Sequence, residues 1–246
     1  MKCPGQDTRY WKHDAIFEVK CPKCGYPVEF FKDETTKRCK SCGYRFTNPR
    51  MDFGCASYCP QAKQCLGELP PELIEKRKEL LKDRVAIEMK RYFGKDFKRI
   101  GHATRVARYA EEISKNEGGN IAVILIAAYL HDIGIKEAEK KYKEDYEKYH
   151  EEEGAHVAYD ILTRLGADKE LIEEVIDIIS HHHHPKDNEN INFEIVYDAD
   201  LVVNLEEKLK ESKIDEKNLK EIINNSFFTE TGLFLAKKNL LENYNK

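Results

Sequence analysis

Residues 121–134 read IAVILIAAYLHDIG, and this stretch decides what the chain folds into. Ile121 to Leu130 are apolar on every side of a helix, which a globular protein accommodates only where the helix is buried all round. The run is far shorter than the roughly 20 residues a membrane span needs. The polar pair His131-Asp132 stands where this helix ends, just before Gly134. Burying such a pair without partners is costly, so other elements must supply them. Neighbouring residues on an ideal helix point about 100° apart, and they converge on one point most readily at a helix terminus.

The pattern on both sides is also helical. Upstream, Leu73, Ile74, Leu80, Leu81 and Ile87 mark a helix ending near Gly94. Val106, Ala110 and Ile113 mark one face of a second, from about Lys98 to Asn116, which Gly118-Gly119 stops; Asn120 suits the N-cap of the apolar helix. Downstream, Lys136–Lys148 is charged enough for a solvated helix or a lid. A helix from about Glu151 carries Ala155, Ala158, Ile161, Leu162 and Leu165 and stops at Gly166. Asp168 suits the cap of the next, Leu171–His181; Phe193–Leu209 follows, and two shorter helices end the chain. Pro70-Pro71 separates this region from what precedes it. The expected fold is mainly α: an all-helical domain over 72–246, preceded by a small cysteine-rich module over 1–68.

All eight cysteines lie between Cys3 and Cys65, and eight of the nine histidines lie beyond residue 100. The two regions therefore carry two chemistries. No apolar leader opens the sequence, which sets the expectation of a cytoplasmic protein, where clustered cysteines hold metal more often than disulfides. Cys21-x-x-Cys24-Gly and Cys39-x-x-Cys42-Gly form two knuckles, and four thiolates so placed make a closed tetrahedral site suited to structural zinc. Residues 19–47 resemble a zinc ribbon. Cys3, Cys55, Cys59 and Cys65 remain, a second four-ligand set whose spacing and Cys59-Pro60 step leave zinc and an iron–sulfur cluster both open.

Residues 1–67 carry 12 Lys+Arg against 7 Asp+Glu, which invites a nucleic-acid reading. Four thiolates on a divalent ion add charge of the opposite sign, however, so nucleic acid is an alternative partner and not the favoured one. The sequence offers no membrane span.

In the helical region His102, His131, Asp132 and Asp200 are spread over several helices. Oxygen and nitrogen ligands without thiolates suit Fe, Mn, Ni, Co, Zn or Mg. This ordered set, with His131-Asp132-Ile133-Gly134 at its centre, resembles the HD superfamily of metal-dependent phosphohydrolases over about residues 95–205. The resemblance implies one or two divalent metals and hydrolysis of a phosphomonoester or phosphodiester, by hydroxide on the metal, in a nucleotide-like or cyclic-phosphate small molecule. His150, before Gly154-Ala155, and His181 with His182, after Ile178, match the segments that hold a second metal in some members; Asp132 would then bridge the two ions. Arg105, three residues after His102, and Lys136, one position later than the family's lysine, are the candidate phosphate ligands. Two alternatives stay open: a nucleic-acid phosphodiesterase with the ribbon as docking module, and a diiron oxygenase-like or sensor protein.

Overall fold

The computed structural model describes residues 15–50 apart from 33 and 35, the isolated positions Ala56, Ala62, Leu69, Leu73, Ile74, Arg77 and Leu80, and residues 81–242 apart from 212 and 213. Cys3, Cys55, Cys59 and Cys65 lie outside the described residues, so the second cysteine set has no structural account. The chain divides into two compact units, 1–80 and 81–246.

In the first unit two antiparallel hairpins carry the knuckles. Strand β1 (Ile16–Lys20) pairs with β2 (Pro27–Phe31), Ile16 opposite Phe31 and Lys20 opposite Pro27. Strand β3 (Thr36–Arg38) pairs with β4 (Arg45–Thr47). Cys21 N–H donates to Tyr26 O and Cys39 N–H to Tyr44 O, so the same turn is built twice. Its tight reversal requires positive φ at Gly25 (73°) and Gly43 (71°). Phe30 is fully buried and packs edge-on against Phe46 at 5.3 Å. So few apolar residues make a small core, and the cysteines supply the rest of the constraint.

The second unit is helical. Helix α1 (Leu81–Phe93) buries Leu81, Val85, Met89 and Phe93; Ile87, expected inward, is 40% exposed because it lies off that stripe. Helices α2 (Phe97–Glu117) and α3 (Ile121–Leu130) follow. Asn120 caps α3 by accepting from the Ala122 and Val123 amides. Helix α3 buries seven of its ten residues, and it contacts α1 and α2 as well as two later helices, α6 (Lys169–Ile179) and α7 (Ile191–Lys210). That central position is what its all-round apolar surface requires.

Between them the charged segment is helical and mostly faces solvent. Helix α4 (Ile135–Tyr142) leads through one 3-10 turn (Lys143–Asp145) into α5 (Tyr146–Leu165). Tyr142 stacks on Tyr149 with centroids 4.1 Å apart, and buried Glu153 binds both Lys141 (2.6 Å) and the Tyr142 hydroxyl (3.2 Å). These contacts pin α4 along α5, so α5 starts earlier than Glu151 and His150 sits within it. Helices α8 (Glu216–Asn225) and α9 (Glu230–Ala236) close the unit. Asp198, fully buried on α7, accepts from Phe228 N, Thr229 N and Thr229 Oγ1 and so ties α7 to the start of α9. Among the described residues no helix is long and apolar enough to cross a membrane.

Candidate metal centre

The turn after α3 places the centre. Ile133 N–H bonds Leu130 O and Ile135 N–H bonds Asp132 O, so the chain reverses within residues 131–134 and α4 begins at once. Gly134 makes this reversal close: a Cβ there would lie 2.1 Å from His150 O and 2.2 Å from Gly154 N. The absence of a side chain lets the turn rest on the backbone of α5, which brings His150 to the His131-Asp132 pair.

Two groups of side chains result. In the first, His102 (α2), His131 and Asp200 (α7) converge: His102 Nε2 is 3.0 Å from Asp200 Oδ1 and 3.2 Å from His131 Nε2, which is 3.4 Å from Asp200 Oδ1. In the second, Asp132, His150, His182 and His183 converge. Asp132 faces both. Its Oδ2 lies 3.4 Å from His131 Nε2 and 3.8 Å from His102 Nε2. Its Oδ1 lies 3.6 Å from His182 Nε2 and 3.8 Å from His150 Nε2. Ligands about 2.0–2.2 Å from one ion lie roughly 3.0–3.5 Å from each other, and the first group already has that spacing.

The histidines are prepared as ligands. His131, His150 and His182 each turn Nδ1 toward the carbonyl three residues earlier, Ala128 (2.9 Å), Glu147 (2.6 Å) and Ile179 (2.8 Å). A carbonyl only accepts, so Nδ1 carries the proton and Nε2 faces the centre. His102 is held alike by Glu207, 3.2 Å from its Nδ1. Buried Nε2 of His150 and of His182 has no hydrogen-bond partner, although each faces a carboxylate oxygen. Desolvated lone pairs set toward a carboxylate are costly unless a cation lies between them. This pair of orphaned atoms makes the residues present fit a metal.

The charges agree. Burial opposes protonation of His131, yet Asp132 and Asp200 raise its imidazole well above the ordinary range. Burial opposes ionisation of Asp132 and Asp200, yet His131 beside them holds both carboxyls well below theirs. The first group thus demands positive charge, which a proton or a metal can supply. Burial, followed by the nearby His182, lowers His150 and brings His183 to about 4, so these two members of the second group offer neutral imidazoles.

His181, expected as a ligand, is not brought to either group. Helix α6 ends at Ile179, and His181 turns back to stack on Phe193 (4.8 Å), with Nε2 3.0 Å from Glu189. His183 takes the position beside His182 instead; the four-histidine run carried that signal without saying which pair points inward. The two candidate phosphate ligands are engaged elsewhere. Lys136 Nζ donates to Tyr92 O at 2.8 Å, and Arg105 Nη2 donates to Glu207, the carboxylate that holds His102. Glu207 was not visible as a site residue, because nothing in its surroundings along α7 distinguishes it from other surface glutamates.

In the first unit Cys21, Cys24, Cys39 and Cys42 form a group of their own. Cys21 and Cys42 sulfurs lie 3.7 Å apart, Cys24 and Cys39 sulfurs 3.6 Å. A tetrahedron with about 2.3 Å metal–sulfur bonds has edges of about 3.8 Å. Burial opposes thiolate formation at Cys39, but the Cys42 and Ser41 amides aimed at its sulfur bring it down to about 7.

Comparison with known proteins agrees with this architecture. Residues 99–214 match the HD domain family. A solved structure described as a predicted HD superfamily hydrolase, from an uncultured Thermotogales bacterium, is similar with a TM-score of 0.50 and 24% identity, over 72% of this chain and 94% of that one. The Lin1889 protein from Listeria innocua gives a TM-score of 0.47 and 20% identity over 67% of this chain and 93% of that one. No curated protein matches. The helical unit carries an HD domain over residues 99–214, and a four-cysteine module lies in the unit that precedes it in sequence. That fold supports a metal-dependent hydrolase.

Proposed function

We propose that the protein is a two-metal phosphohydrolase acting on a phosphomonoester or phosphodiester of a small molecule, nucleotide-like or cyclic. The observation that carries this reading is Asp132, whose two oxygens face two different histidine groups. His102, His131, Asp200 and Asp132 would hold one ion, and His150, His182, His183 and Asp132 would hold the other. Bound divalent metals supply activation of water and neutralisation of the phosphoryl oxygens. The chain's own part is positioning. The carbonyls of Ala128, Glu147 and Ile179 fix three imidazoles, and Glu207 fixes a fourth. His183 has 39% of its side chain exposed and borders the solvent side from which a phosphoryl group enters. With Lys136 and Arg105 committed to Tyr92 and Glu207, phosphate recognition rests on the metals. The four-cysteine unit holds zinc in a closed site and serves folding.

The test is a phosphatase and phosphodiesterase screen with Mn, Fe, Ni and Mg added in turn, beside Asp132→Ala. Metal-dependent phosphate release by the wild type, absent in the variant, is expected. Turnover retained by Asp132→Ala, or no release with any metal, contradicts the proposal.

A further inference from the structure

Two members of the histidine run are left over by the site, and one of them leads to a residue with no assigned role. His184 is 79% exposed, yet its Nδ1 lies 3.0 Å from Oε2 of Glu151. Glu151 follows His150 on α5 and so points about 100° away from it around the helix. Its side chain is 11% exposed. Its other oxygen, Oε1, accepts the backbone N–H of His183 at 2.8 Å and lies 3.7 Å from Nδ1 of His182. One buried carboxylate therefore reaches from the helix of His150 to the turn that presents His182 and His183, and both of its oxygens are used there.

We infer that Glu151 is the positioning residue of the second half-site: it locks the 181–184 turn so that His182 and His183 stand beside His150. This rests on the two-metal reading above. The carboxylate touches neither Asp132 nor the first group. It fixes where the turn sits relative to α5 by accepting the His183 amide, and it stands behind the His182 imidazole whose Nδ1 the Ile179 carbonyl holds. His184 then has a purpose although it faces solvent: it donates to the second carboxylate oxygen. Glu189 closes the remainder of the loop, bonding His181 Nε2 (3.0 Å) and Lys186 N (2.7 Å), and leaves the ligand turn to Glu151.

The experiment is titration of the full chain, stripped of HD-site metal, with Mn²⁺ by calorimetry. The wild type is expected to show two binding events, one of which His150→Ala removes. Glu151→Ala should weaken that same event about 10–100-fold and leave the other unchanged. Glu151→Gln, which keeps an acceptor for the His183 amide, should fall between. His184→Ala changes an exposed side chain that no core packing depends on, and it should give a smaller loss confined to the same event. If the wild type shows two events and Glu151→Ala keeps both affinities, or weakens both alike together with the melting temperature of the metal-free protein, the inference is overturned while the two-metal reading stands. A single event in the wild type overturns that reading and the inference with it.

Discussion

Replacing Gly134 by alanine tests how the two metal groups are brought together. The added Cβ would stand 2.1 Å from His150 O, 2.2 Å from Gly154 N and 2.6 Å from Gly154 Cα, all backbone atoms. No rotamer change relieves such contacts, so the 131–134 turn and α5 must separate by roughly 1 Å, at an overpacking cost of about 1–3 kcal/mol. Metal–ligand distances tolerate only about 0.2 Å. His150 moves with α5 while His102, His131 and Asp200 stay on other elements, so the second group should fail and the first should persist. Calorimetric titration with Mn²⁺ should show one ion lost, and the melting temperature of the metal-free variant should fall by roughly 3–10 °C. Gly154→Ala is a milder control, since its Cβ would meet the Ile179 side chain at 3.1 Å. Two ions bound to Gly134→Ala at wild-type affinity would refute the reasoning.

Four further outcomes are expected. Asp132→Ala should lose hydrolysis and bind less metal while its far-ultraviolet circular dichroism stays helical; loss of the helical signal would instead make Asp132 a folding residue. Asp198→Ala leaves the Phe228 and Thr229 amides unpaired and should cost about 1–3 kcal/mol, read by urea denaturation, with metal content unchanged. Cys39→Ser should lower bound zinc by one ion per chain without changing Mn²⁺ uptake by the HD site, checked by elemental analysis. Burial, with Glu206 beside its hydroxyl, raises Tyr109 to about 12 from the ordinary 10. A raised pKa in the folded chain stabilises it fully below pH 10, and this contribution disappears as pH climbs through about 12. Melting curves across that range should show a steeper alkaline decline in the wild type than in Tyr109→Phe.

Much of the helical unit was readable because its periodicity is strong. The all-round apolar run of α3 announces a central helix, and the polar pair at its end announces that other elements must meet it. His102, His131, Asp132, His150, His182 and Asp200 all come together as the order of residues suggests. The failures have local physical causes. The segment 136–148 is the solvated helix its charge suggests, but charge alone does not show that Glu153 and the tyrosine stack draw it onto α5. His183 stands where His181 was expected because α6 stops at Ile179, two residues short of His181, and the turn that follows directs His181 away; composition does not encode that end point. Arg105 and Lys136 are cationic and near the centre in sequence, yet Glu207 and the Tyr92 carbonyl claim them. Partners such as Glu151 and Glu207 come from distant or ordinary-looking positions, and only the fold reveals what they touch.

The most direct test is anomalous diffraction from crystals of the manganese-loaded protein, collected at the manganese edge. Two peaks are expected, one against His102, His131, Asp200 and Oδ2 of Asp132, the other against His150, His182, His183 and Oδ1. A single peak, or peaks away from the Asp132 carboxylate, would contradict the account.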